Sequence, residues 1–216
     1  MKLTIVYDND IFDKKKGLKS DWGFSCLIQT EEKNILFDTG AKSKILIHNM
    51  HKLNLNPKLI DKIVISHEHW DHNGGLKSLI SNTNNVEIFR LESQNSNEKI
   101  NYNIVKDPQL ITNDIHTTGR LIGSPIDEQS LALKGKKGLY ILTGCSHPGI
   151  EKILENTKQF GNIKGIIGGF HGFKNFSILE NLEFICPCHC TKYKKEIKMT
   201  FPNVCYGCGV GKIIDI

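Results

Sequence analysis

The residues best equipped for chemistry lie in one block, His67-Glu68-His69-Trp70-Asp71-His72, which packs three imidazoles and two carboxylates into six positions. Neutral imidazole nitrogens beside a carboxylate oxygen are the ligand set of Zn²⁺, and the same donors accept Mn²⁺ or Fe²⁺. In an extended stretch His67 and His69 face the same side and can grip one ion. Asp71 and His72 then turn toward a second ion close by. Such a density of donors argues against unrelated surface histidines.

Something must aim these side chains. Residues 63–65 form a buried-type strand ahead of the block, and Asn73-Gly74-Gly75-Leu76 opens the next element, so the histidines sit on a strand-to-helix loop. Short apolar runs at 4–7, 24–29, 35–37, 86–89, 139–142, 163–167, 184–185 and 212–216 also read as strands. Helical spacing appears over 43–53, with Leu46, Met50 and Leu53 on one face. It recurs over 149–160, with Ile150, Ile153, Leu154 and Thr157, and with Pro148 placed as a first-turn proline. Residues 90–118 are polar and read as loop with one short strand. Strands first, then strands alternating with helices, indicate an α/β domain whose strand-end loops build the site. Asp38, His67, His147, His171 and His189 each come just after a predicted strand.

The bulk properties fit a single domain over residues 1–216. The net charge of +5 is mild, and the lysines at 14–16, 192, 194 and 195 read as solvated surface, so no nucleic-acid partner is expected. The N-terminal strand turns polar too soon for a signal peptide, and no apolar run reaches the ~18 residues of a membrane span. A cytoplasmic location and no membrane association are therefore expected, and the oligomeric state is left open. The seven cysteines read as thiols or metal ligands before disulfides. Cys186, Cys188 and Cys190, followed by Cys205 and Cys208, leave a separate structural zinc as an alternative, while Cys205–Gly209 looks like a tight turn. His48 and His51 fall on the polar face of a helix, and the role of His116 is open.

The Asp38-Thr39-Gly40 that ends a strand, together with His67–His72, resembles the metallo-β-lactamase superfamily, and later motifs fall in order along nearly the whole chain. The resemblance implies an αββα four-layer sandwich with the metal site at one edge of the two sheets. It implies that His67 and His69 bind a first metal and that Asp71 and His72 bind a second. By position, His147 joins the first and His189 the second. Asp38 is then a residue that orients the ligands, the alternative being a turn aspartate ahead of Gly40. Cys145 is either a further ligand or a small buried residue. His171, behind two glycines, is a candidate for substrate contact or proton transfer, or is structural. Thr143–Ile150, Gly168–His171, Cys188–Thr191 and Glu128–Leu131 look most like the branch containing dihydropterin–ribofuranosylaminobenzene-phosphate synthases. The stretch between His72 and Thr117 is shorter here than in that branch.

These readings converge on two divalent ions, zinc before manganese or iron, and on a hydrolase. Its expected substrate is a small-molecule ester, lactone or phosphoester, attacked by hydroxide held on a metal. Asp71 and His171 are the expected catalytic residues. Two other classes stay open. One is a dihydropterin transferase that joins a pterin to an aromatic ribosyl phosphate with loss of pyrophosphate. The other is a non-hydrolytic di-iron redox or binding protein.

Overall fold

The computed structural model describes residues 1–83, 85–92 and 102–216, with Lys15 described by its backbone alone. The first six strands are β1 (Lys2–Tyr7), β2 (Ser25–Gln29), β3 (Asn34–Phe37), β4 (Lys62–Val64), β5 (Glu87–Arg90) and β6 (Tyr102–Ile104). They are followed by β7 (Gln109–Thr112), β8 (Ile115–Thr117), β9 (Leu131–Gly135), β10 (Gly138–Thr143), β11 (Ile163–Gly169), β12 (Phe184–Cys188) and β13 (Ile213–Asp215). The α-helices are α1 (Ser43–Lys52), α2 (Trp70–Asn73), α3 (Leu76–Ile80), α4 (Ile150–Thr157) and α5 (Lys194–Thr200). Contacts divide the chain into two compact units, one of residues 1–106 with 209–215 and one of residues 107–208 with Ile216.

The first unit holds one mixed sheet in the order β13-β1-β2-β3-β4-β5-β6. Its β13, β1, β2 and β3 pair antiparallel, and the pairs from β3 to β6 are parallel. A parallel pair cannot be closed by a hairpin, so α1 carries the chain from β3 back to the start of β4. The helix forms because Leu46 and Met50 recur at helical spacing, and both are buried in a cluster with Leu36, Ile63 and Ile88. Asn49 lies on the same buried face. Its amide donates to the carbonyls of Val6 at 2.9 Å and Lys19 at 2.8 Å, and accepts from the Lys19 N–H.

The second unit repeats the logic in the order β12-β11-β10-β9-β8-β7. Strands β10, β11 and β12 are parallel, and the remainder pair antiparallel. Here α4 makes the crossover from β10 to β11, setting Ile150, Ile153 and Leu154 against Ile141, Ile166 and Ile185. In both units the parallel strands end together, so their carboxyl-terminal loops are gathered at one end of each sheet.

Every strand expected from the sequence is present, with ends shifted by up to three residues. Three strands were not foreseen. Of the stretch 90–118 read as mostly loop, residues 93–101 lie outside the described residues, and the remainder contains β6, β7 and β8 rather than one strand. The β7–β8 pair turns at Asn113-Asp114, a two-residue connection of the kind that favours hairpins. Strand β9 pairs with β10 through the turn after Gly135. The lysines at 194 and 195 lie on α5, which buries Ile197. Pro148 precedes the cap residue Gly149, so it stands outside α4 and not in its first turn. The segment at Cys205 is not a tight turn: Cys205 makes a parallel bridge to Ile185, and the Tyr206 N–H donates to the Ile185 carbonyl at 2.8 Å. Among the described residues no helix is long and apolar enough to cross a membrane.

The Tyr7 phenol is buried near the Asp21 carboxylate, and burial first, then that charge, raises its pKa from 10.0 to about 12. A raised folded-state pKa gives stability that is present below the unfolded value and is lost as pH climbs from about 10 to about 12. Thermal unfolding across that window should therefore show a steeper fall for the wild type than for Tyr7→Phe.

Candidate metal centre

In the first unit, β3 and β4 are parallel neighbours, with Phe37 opposite Val64, so the loops that follow them emerge side by side. Asp38 leaves β3 with φ of 57°, a left-handed conformation that costs an aspartate of order 1 kcal/mol. That turn sends its carboxylate across to the His67 loop. Oδ1 accepts the Ser66 N–H at 2.7 Å, and Oδ2 accepts the Ser66 hydroxyl at 2.8 Å and His72 Nδ1 at 2.7 Å. Asp38, Ser66, His67 and His72 are all wholly buried.

This network sets the ring tautomers. Ser66 Oγ has one proton, and with that proton on Asp38 it must accept from His67 Nδ1, 2.9 Å away. His67 and His72 then both carry their proton on Nδ1 and present Nε2 as a lone pair. His67 Nε2 lies 3.1 Å from His69 Nδ1, with the two rings nearly perpendicular at 81°. Two imidazole nitrogens bound to one tetrahedral zinc stand about 3.3 Å apart. The His67 and His69 donors therefore fit a common ion. His72 Nε2 is 3.8 Å from Asp71 Oδ2, and its ring centroid is 4.1 Å from that of His67.

Close backbone approach makes this geometry available. Thr39 donates both its N–H, at 2.7 Å, and its hydroxyl, at 3.0 Å, to the His72 carbonyl. A Cβ on Gly75 would lie 2.3 Å from the Thr39 carbonyl oxygen, so only glycine lets the block's C-terminal end sit against the Asp38 turn. Sequence reasoning missed one partner of the block. Glu68 is gripped by Arg90 at the end of β5, through Nε to Oε1 at 3.0 Å and through Nη2 to Oε2. Asn73 Nδ2 also donates to Glu68 Oε2, at 2.9 Å. Arg90 is fully buried with its guanidinium over the Tyr102 ring, and the sole sequence signal was a charge at the end of an apolar strand.

In the second unit the organising residue is Glu128, also wholly buried. Its Oε1 accepts the N–H groups of Gly144, Cys145 and Ser146 at 2.9, 2.9 and 3.1 Å, together with the Thr143 hydroxyl at 3.0 Å. Its Oε2 accepts both the N–H of His147, at 3.0 Å, and His147 Nδ1, at 2.9 Å. His147 is thereby oriented by a carboxylate, as His72 is in the first unit, and its Nε2 is left as the outward donor. The sequence marked Glu128 only as part of a family resemblance and assigned it no role. Donor atoms of Cys145, His147 and His171 lie within 4.8 Å of one another, and so do those of Cys145, His189 and Cys190. His147 and His171 have ring centroids 5.1 Å apart, and His171 is exposed. His171 and His189 both have φ of 47°, and Ser146 has 64°, so the loops carrying these donors are held in strained turns.

The remaining candidates lie elsewhere. His48 Nε2 meets the Gly17 carbonyl at 2.9 Å, His51 is exposed, and His116 stacks on Phe160. None of the seven cysteines is in a disulfide. Cys186, Cys188 and Cys205 are buried, and burial pushes the Cys205 thiol up.

Residues 23–93, which include Asp38 and the whole His67–His72 block, match the metallo-beta-lactamase superfamily. An uncharacterised protein of Methanocaldococcus jannaschii is 31% identical across 99% of this chain and 100% of its own length. The chain belongs to the metallo-β-lactamase superfamily. That alignment spans 261 positions against the 216 residues here, so the relative carries added segments. A second relative from the same organism, 7,8-dihydropterin-6-methyl-4-(beta-D-ribofuranosyl)-aminobenzene-5'-phosphate synthase, is 29% identical over 82% of this chain and 83% of its own. Among solved structures, a metal-dependent hydrolase of the β-lactamase superfamily superposes with a TM-score of 0.82 at 25% identity, covering 100% of this chain and 99% of that one. The α/β metallo-β-lactamase fold expected from the sequence is the fold observed.

Two substitutions test the carboxylates. Asp38→Asn puts an amide donor among donors, and affinity for an added divalent ion, measured against a competing chelator, should fall roughly 10- to 100-fold. Glu128→Gln should lower stability by about 3 kcal/mol or more in urea unfolding, because it breaks a buried charged network.

Proposed function

We propose that the chain is a metal-dependent hydrolase of a small-molecule ester, lactone or phosphoester, acting in the cytoplasm. The observation that carries this reading is the 3.1 Å approach of His67 Nε2 to His69 Nδ1, with both His67 and His72 turned by the Asp38 network to present Nε2. In this reading His67, His69, Asp71 and His72 are the metal ligands of the first unit, and His147 and His189 are those of the second. Zinc suits the donors best, and manganese or iron is an alternative. When bound, such ions supply Lewis-acid polarisation and a water that ionises at about pH 7.

The chain's own groups do the remaining work. Asp38 and Glu128 hold the proton on Nδ1 of His72 and His147, so these rings cannot rotate away. Asp71, 6% exposed, accepts the proton of the attacking water through its carboxylate. His171, exposed beside the His147 ring, donates a proton or hydrogen bond to the charge that develops on the substrate oxygen. The solved metal-dependent hydrolase at a TM-score of 0.82 supports the hydrolytic class.

A second reading, dihydropterin transfer with loss of pyrophosphate, is favoured by the 29% identity to the synthase named above. Release of pyrophosphate from a dihydropterin diphosphate would select it over the first. For the hydrolase, protein purified anaerobically should carry close to two metal ions per chain and cleave ester or phosphodiester probes in a chelator-sensitive manner. His67→Ala and His69→Ala should lose both metal and turnover, and a metal-free variant with full activity would sink the reading.

A further inference from the structure

One group of cysteines has no part in the hydrolase reading. Cys186-Pro187-Cys188 and Cys205-Tyr206-Gly207-Cys208 lie side by side within the second unit. The Ile185 N–H donates to the Val204 carbonyl at 2.8 Å, and the Tyr206 N–H donates to the Ile185 carbonyl at 2.8 Å, so the later segment runs parallel to β12. The Tyr206 ring stacks on Phe184, with centroids 4.7 Å apart and planes at 17°. Cys186 Sγ lies 4.0 Å from the Gly207 carbonyl. At the end of this row the sulfur atoms of Cys188 and Cys208 come within 4.8 Å of one another.

The two thiols differ in access. Cys188 is fully buried, whereas Cys208 is partly exposed. Disulfide exchange needs a thiolate that can reach its target, so Cys208 is the one that meets an external oxidant. Cys188 is shut away from such a reagent and can react only with a sulfur already beside it. A disulfide holds its sulfurs about 2.0 Å apart, so the present gap must close by side-chain rotation and a small movement of main chain. Gly207 permits that movement, since a Cβ placed there would meet nothing within 4 Å.

We propose that Cys188 and Cys208 are a reversible dithiol–disulfide pair, oxidised by low-molecular-weight disulfides such as oxidised glutathione. The Cys208 thiolate attacks one sulfur of the small disulfide, forms a mixed disulfide and expels one thiolate. The Cys188 thiolate then attacks the Cys208 sulfur and expels the second. Two protein thiols are thereby oxidised to one disulfide, and the small disulfide is reduced to two thiols that take up the two protons the cysteines lose. The link closes a loop over residues 188–208, which contains α5 and its buried Ile197. Closing that loop removes conformational freedom from it, and α5 is tied more firmly to β12. In a reducing compartment a disulfide of this kind comes and goes with the redox poise rather than standing as a permanent brace. The inference goes beyond the hydrolase reading and requires neither metal nor turnover.

Incubation of the folded full chain with excess oxidised glutathione tests it, with the remaining thiols alkylated and the peptides mapped by mass spectrometry without reduction. The wild type should lose the mass of two hydrogens and yield one pair of peptides joined through Cys188 and Cys208, separable again by dithiothreitol. Cys188→Ser should stop at a single glutathione on Cys208, and Cys208→Ser should leave Cys188 reduced. Hydrogen exchange of the α5 amides should slow on oxidation in the wild type and in neither variant. A lasting glutathione adduct on wild-type Cys208, a link that joins any other pair, or two thiols that stay reduced under excess oxidant overturns the proposal. Should a serine variant fail to fold, the wild-type peptide map decides alone. The readout is a covalent bond and not turnover, so a chain that forms the link and hydrolyses nothing removes the hydrolase reading and keeps the pair. A chain that hydrolyses its probes and forms no link does the reverse.

Discussion

A carboxylate shut away from water must be surrounded by donors, and the cost of failing to find them runs to several kcal/mol. Two such carboxylates organise this molecule. Asp38 takes its donors from Ser66 and His72, and Glu128 takes its donors from four consecutive amides and the His147 ring. In each case the groups that neutralise the burial penalty are carried by a loop bearing reactive histidines. The loops cannot relax without exposing a charge, so ring orientation follows from folding itself.

The sheets make these contacts reachable. Because β3 and β4 run parallel, the Asp38 turn and the His67 loop leave neighbouring strands in the same direction. The parallel trio β10, β11 and β12 does the same for Cys145, His171 and His189. Left-handed backbone at Asp38, Ser146, His171 and His189 then bends each exit sharply. Strain of this kind persists only where surrounding contacts over-determine it. The hydrogen bonds of Asp38 and Glu128 supply that over-determination for two of the four loops.

How much of this was legible in the sequence depended on distance along the chain. His67–His72 announced itself because its donors are adjacent, and the buried strands did so because Ile, Leu and Val run together. Glu128 and Arg90 gave no comparable signal, since their partners lie 15 to 22 residues away and only the fold joins them. Ser66 lies between the predicted strand and the block and carried no signal of its own, yet it relays between Asp38 and His67. The short strands β6 to β8 hide because they have three or four residues each and little apolar alternation. Helix α5 hides because Ile197 is its one buried residue amid lysines. The family resemblance carried His147 and His189 where spacing alone would not have done so.

Glu128 grips the main chain of residues 144–147 far more than their side chains. The shape of that loop is therefore written in amide groups, which every residue but proline possesses. Mutation at positions 145 or 147 can rewrite the reactive atoms and leave the platform beneath them standing. Descendants of this chain can drift between chemistries, or into silence, without first surviving a collapse of the fold.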